Sequence, residues 1–219
     1  MATSVQLAEL LATLFGARVS TCTNTYKQLQ AADMVSKGGR GRNASQITAS
    51  DCTLLVLSLL GSEHINDAPQ AAKRYASLTA NWREYSGPIR DDRASDDIGW
   101  FVMGQKFTAL QSLRDNHALS ETMAALIQSY ADRSILDVAS TASITVSIHG
   151  PLVSGTVSIE ADGSTEKINY SAKSAAEMFR TVIGNPRPDH ALTTRENYLR
   201  IEKHITGKTL KELGDLVRE

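Results

Sequence analysis

The sequence predicts an α+β chain, mostly helical, with a small antiparallel sheet toward its C-terminal end. Three observations carry this reading. From Val5 to Tyr130 apolar residues recur at spacings of three and four, the period of helices with one buried face. At Ala142 the period changes to two, and Ile144, Val146 and Ile148 alternate with Thr145, Ser147 and His149. The last stretch, Gly207–Arg218, returns to helical spacing through Leu210, Leu213, Leu216 and Val217.

The first helix starts at Thr3 or Ser4, an N-cap residue in either case, and presents Val5, Leu7, Ala8, Leu10, Leu11, Leu14 and Phe15. Gly16 is its expected left-handed stop. Ala17-Arg18-Val19 forms a short connection with Val19 pointing inward, and a second helix begins at Ser20 and runs through Thr25, Tyr26, Leu29 and Ala32. Met34-Val35 begins a short extended run. Gly38, Gly39 and Gly41 break it among three cations, Lys37, Arg40 and Arg42, and Gln46-Ile47-Thr48 returns as a strand. Thr48 or Ser50 caps a third helix, Asp51–Leu60, which is apolar on nearly every side and therefore needs a buried place.

Asp67–Tyr85 reads as one helix, with Pro69 in its first turn and Ala71, Ala72, Tyr75, Leu78, Trp82 and Tyr85 near one face. The carboxylates of 91–97 match no calcium-loop spacing and read as a solvated loop. Gly99–Arg114 and Ser120–Ile135 read as a helical hairpin, with Trp100, Phe101 and Phe107 as core side chains. The alternating segments then form a three-stranded meander that turns at Gly150-Pro151 and again at Ala161-Asp162-Gly163-Ser164. Such a sheet needs a helix on its apolar face, which 175–183 or 210–217 can supply. Tyr198–Ile205 is a fourth strand or a linker.

Composition narrows the function. The chain has 219 residues, 42% of them hydrophobic, which is enough for a sizeable core; aromatics are only 5%, so packing rests on aliphatic helix faces. A formal net charge of −1 excludes a nonspecific polycation, so any nucleic-acid contact must come from a local patch. Within 1–51 five cations (Arg18, Lys27, Lys37, Arg40, Arg42) stand against Glu9, Asp33 and Asp51, a local balance of +2. Cys22 and Cys52 lie in no CxxC or CxxH pair, so they read as reduced buried thiols rather than zinc ligands or a disulfide. No apolar run is long enough to span a membrane and no export signal precedes the first helix, which implies a cytoplasmic protein. Five scattered histidines, with no GxSxG, Walker A, GxGxxG or HExxH motif, give no enzyme signature and no cofactor; His149, at a strand end, is the most site-like of them.

Helix, extended run, basic glycine turn and returning strand, in that order over 20–49, resemble the winged helix-turn-helix DNA-binding domain. The resemblance implies a recognition helix whose Ser20, Thr21, Thr23, Asn24, Lys27 and Gln28 face double-stranded DNA, and a wing whose Lys37, Arg40, Arg42 and Asn43 reach the backbone or minor groove. Asn and Gln can pair bidentately with adenine, and a helix N-terminus offers free N–H groups to phosphate. One departure is that 16–19 leaves little room for the short helix that usually precedes the recognition helix. The expected organisation is a winged helix over 1–62, a helical connector and oligomerisation region over 63–136, and an α+β module over 137–219. The leading functional expectation is a homo-oligomeric transcriptional regulator, with the unfamiliar tail in phage or prophage style. A phage small-terminase-like packaging or replication recognition protein is the first alternative. An adaptor that meets a protein partner through 63–219, its winged helix having lost DNA binding, is the second.

Overall fold

A computed structural model describes residues 2–37, 46–87, 107–113, 116–134, 142–150, 153–161, 163–172 and 201–218. They form seven α-helices and a five-stranded antiparallel sheet.

Helix α1 (Ser4–Phe15) begins in a capping box: the Thr3 hydroxyl accepts from the Gln6 N–H and the Gln6 side chain accepts from the Thr3 N–H. It ends at Gly16, whose φ of 62° is the left-handed geometry expected there. Leu7, Ala8, Leu11 and Ala12 are buried, but Val5 is 57% exposed and does not belong to the apolar face. Helix α2 (Val19–Ala31) starts one residue earlier than expected, and Arg18 is its N-cap. Val19 is therefore a first-turn residue, 45% exposed, and does not point inward.

Helix α3 (Ala49–Gly61) is capped by Thr48 and is the centre of the helical layer. It packs against α2 on one side and against α4 (Ala68–Ala76) and α6 (Leu119–Ala131) on another, which accounts for its all-round apolar surface. Leu55, Val56 and Leu57 are all solvent-inaccessible.

The long helix expected over Asp67–Tyr85 is two elements. A 3₁₀ turn (Ile65–Asp67) leads into α4, which ends at Ala76, and strand β1 (Thr79–Ser86) follows. The expected helix over 99–114 is, among the described residues, a single turn, α5 (Thr108–Gln111), preceded by extended Phe107. Phe107 is buried as expected, whereas 91–97, Trp100 and Phe101 lie outside the described residues. Helix α6 ends at Ala131, ahead of Ile135.

Strands β2 (Ser143–Gly150), β3 (Ser154–Ala161) and β4 (Ser164–Ser171) form the expected meander. Ala161 pairs with Ser164 across the β3–β4 turn, where Gly163 takes φ +72°. β5 (Ile201–Thr206) pairs with β2, and β1 pairs with β4, giving the order β1-β4-β3-β2-β5. The face carrying Ile144, Val146, Ile148, Val157, Ile159, Ile168 and Tyr170 is buried under the helices. α7 (Gly207–Arg218), one of the two stretches expected to do so, helps to cover it; the other, 175–183, lies outside the described residues. The opposite face carries Thr156, Ser158, Lys167, Asn169, Glu84 and a half-exposed Trp82. One cluster of buried side chains runs from Ala2 on the N-terminal side to Leu216 in α7.

Candidate nucleic-acid interface

At 100° per residue, Ser20, Thr21, Thr23, Asn24, Lys27 and Gln28 share one side of α2, and Cys22, Thr25, Tyr26 and Leu29 share the other. Burial follows that division. The second group is buried, Ser20, Asn24 and Lys27 are exposed, and Thr21, Thr23 and Gln28 are half-buried. No side chain caps the N-terminus of α2. The buried side joins the core through Tyr26 and Leu29.

Beyond α2 the chain turns at Asp33, whose φ of 56° is a left-handed conformation that Asp tolerates better than most residues. Met34 N–H donates to the Leu29 carbonyl at 3.0 Å and so closes the helix end. The Lys37 ammonium pairs with the Asp33 carboxylate. The pair is well exposed, so it steadies the turn only slightly.

The strands expected at Met34-Val35 and Gln46–Thr48 are not formed; both segments are irregular. Their backbone groups are committed elsewhere. Ser36 N–H and Oγ donate to the two carboxylate oxygens of Asp51, at 2.8 and 3.0 Å. The Ser36 carbonyl accepts from Tyr26 Oη at 3.3 Å and from Gln30 Nε2 at 3.2 Å. On the returning side Thr48 N–H and Oγ1 donate to Asp51 Oδ2 at 3.0 and 2.8 Å, and Ile47 N–H donates to the Ala2 carbonyl at 3.4 Å. Gln46 Nε2 reaches the Val217 carbonyl at 3.4 Å. Asp51, 3% exposed, thus holds both Ser36 and Thr48 to the first turn of α3.

Gln30 sits where the buried and exposed sides of α2 meet, and its side chain donates to the carbonyl of Ser36, the residue before Lys37. Six of the expected contact residues, Ser20, Thr21, Thr23, Asn24, Lys27 and Gln28, share one side of α2, whereas Lys37 lies beyond its C-terminal end with its ammonium on Asp33. Arg40, Arg42 and Asn43 lie outside the described residues. Sequence reasoning missed Ser36, Asp51, Tyr26 and Gln30. The Thr48-x-x-Asp51 spacing signals a capping box, but nothing in it signals the second attachment to Ser36.

Cys22 and Cys52 are free, fully buried thiols. Burial pushes both thiol pKa values up, that of Cys52 to about 12 with the Asp51 charge adding to the effect. Burial raises the Tyr26 hydroxyl as well, and Asp51 and Cys52 reinforce the shift. Among the described residues no three His, Cys, Asp or Glu side chains converge as a metal site, and no helix is long and apolar enough to cross a membrane. His149 is buried on the polar side of β2, with Nε2 3.5 Å from Thr156 Oγ1. Compared with known proteins, the chain matches no family model, no curated protein and no solved structure.

Proposed function

We propose that the chain is a sequence-specific double-stranded DNA-binding protein, acting as a homo-oligomeric regulator through a winged-helix-like head. In this reading α2 enters the major groove and 37–45 lies against the flanking backbone. The observation that carries it has two parts. The polar residues of α2 share one side, and the residues on either side of the Lys- and Arg-bearing stretch, Ser36 and Thr48, are both hydrogen-bonded to the Asp51 carboxylate. Asn24 and Gln28 supply amides suited to base edges; Lys27, Lys37, Arg40 and Arg42 supply charge for phosphates. The wing differs from the usual pattern in having clamped, irregular flanks where a strand pair is expected.

Selection of duplexes from a random pool by the full-length protein tests this. A defined half-site should be enriched, and Asn24→Ala should relax the preference at one position by about 1–3 kcal/mol. A pool that stays random after selection rejects sequence-specific recognition.

A further inference from the structure

We infer that Asp51 is a positioning residue for the DNA contact: its buried carboxylate fixes the backbone at Ser36, the residue immediately before Lys37. This rests on the DNA reading above. The argument starts from a surplus. A helix N-cap is satisfied by the reciprocal bonds between Thr48 and Asp51, in which Asp51 N–H donates to Thr48 Oγ1 at 3.1 Å and the carboxylate receives Thr48 N–H. The two bonds from Ser36, fifteen residues upstream, add nothing to that cap. Every hydrogen-bonding group of Ser36 is engaged, its N–H and hydroxyl by Asp51 and its carbonyl by Tyr26 and Gln30. One residue is thus locked between α2 and α3, immediately before the first cation of the basic segment. With the backbone before it fixed and its ammonium paired with Asp33, Lys37 loses less backbone freedom when it meets a phosphate, and the contact is correspondingly stronger.

Electrostatics alone makes the opposite forecast. Asp51 is an anion close to a surface meant for DNA, so neutralising it should strengthen binding or leave it unchanged. A positioning role makes the same change weaken binding. Asp51→Asn keeps one oxygen for the Thr48 cap and turns an amide NH₂ toward the Ser36 N–H, so that donor faces donor. Ser36→Ala removes only the hydroxyl bond and leaves the cap intact.

The experiment is a fluorescence-anisotropy titration of full-length variants against a mixed-sequence DNA duplex over a range of salt concentrations, with circular dichroism to confirm folding. Asp51→Asn should bind about three- to tenfold more weakly with an unchanged salt slope, because the number of cations is unchanged. Ser36→Ala should move the same way by less, and it decides the matter alone if Asp51→Asn fails to fold. A Lys27→Ala/Lys37→Ala double variant separates the two levels of the argument, since it should lower both affinity and slope. If it does so while Asp51→Asn and Ser36→Ala bind as tightly as the parent, the positioning role is overturned and the DNA reading stands. If the lysine variant changes neither affinity nor slope, the DNA reading falls and the positioning role falls with it.

Discussion

His117 Nε2 lies 3.0 Å from Tyr170 Oη, joining the segment before α6 to the inner face of β4. The rings meet edge to face, with centroids 5.7 Å apart. Thr122 Oγ1, in the first turns of α6, approaches the same hydroxyl at 2.8 Å, and all three side chains are buried. Burial drives the Tyr170 hydroxyl pKa upward, the Thr122 hydrogen bond opposes this, and the Glu121 charge adds to it. Tyr170→Phe keeps the ring and strips two buried polar groups of a shared partner. It should cost about 1–3 kcal/mol in urea unfolding. DNA affinity should not change, because the network lies in the layer between α6 and the sheet.

The approach of α7 to α6 depends on Gly214. A Cβ there would collide with Tyr130 Cβ and stand 2.8 Å from the Ile127 carbonyl oxygen and 2.9 Å from Ala131 N. Alanine is the better helix former, yet Gly214→Ala should destabilise the protein by about 1–3 kcal/mol through overpacking. A rise in thermal midpoint for this variant would mean that the two helices are farther apart than described.

The buried thiols predict an alkaline limit to stability. Cys52 has an ordinary value near 9 when unfolded and about 12 when folded. Above pH 9 the unfolded chain therefore holds fewer protons than the folded one, and stability falls as pH rises. The stabilising contribution is complete below pH 9 and is lost progressively toward pH 12. Cys22, Tyr26, Tyr75 and Tyr130 shift in the same direction and steepen the loss. Denaturant midpoints measured across this range should fall, and neither thiol should react with iodoacetamide in the folded protein at neutral pH.

A fragment of residues 1–62 would keep α1, α2 and α3 but lose the contacts that α3 makes with α4 and α6. Leu55, Val56 and Leu57 show how little of this helix is meant for water. The fragment should self-associate on gel filtration under conditions where the full-length chain has a defined size. A monodisperse, cooperatively melting fragment monomer would show that α3 needs no cover from the later helices.

What the sequence reveals depends on whether a segment's partners are near or far along the chain. The meander was legible because Ile144, Val146 and Ile148 alternate cleanly and their partners on β3 follow directly. The caps were legible to within a choice of two residues, Thr3 or Ser4 and Thr48 or Ser50, and the stop at Gly16 outright, because each uses residues within one turn. β1 was not, because Tyr75, Leu78, Trp82 and Tyr85 keep a helical spacing past the end of α4. Moreover, the bulge between Ala80 and Trp82 breaks the strand alternation. Its partner, β4, lies some eighty residues away, and only that pairing makes it a strand. The candidate site divides the same way. The polar side of α2 follows from helical period, whereas the Ser36–Asp51 attachment is a tertiary contact that replaces the ladder the flanking segments were expected to form.

Recognition of DNA through α2 and the basic segment is tested most directly by the salt dependence of duplex affinity, measured for the parent and for Arg40→Ala/Arg42→Ala. The parent should lose affinity steeply as salt rises. The double variant should fold normally, bind more weakly and show a slope smaller by about one to two. Duplex binding that is absent in the parent, or that shows the same affinity and slope in both proteins, would contradict it.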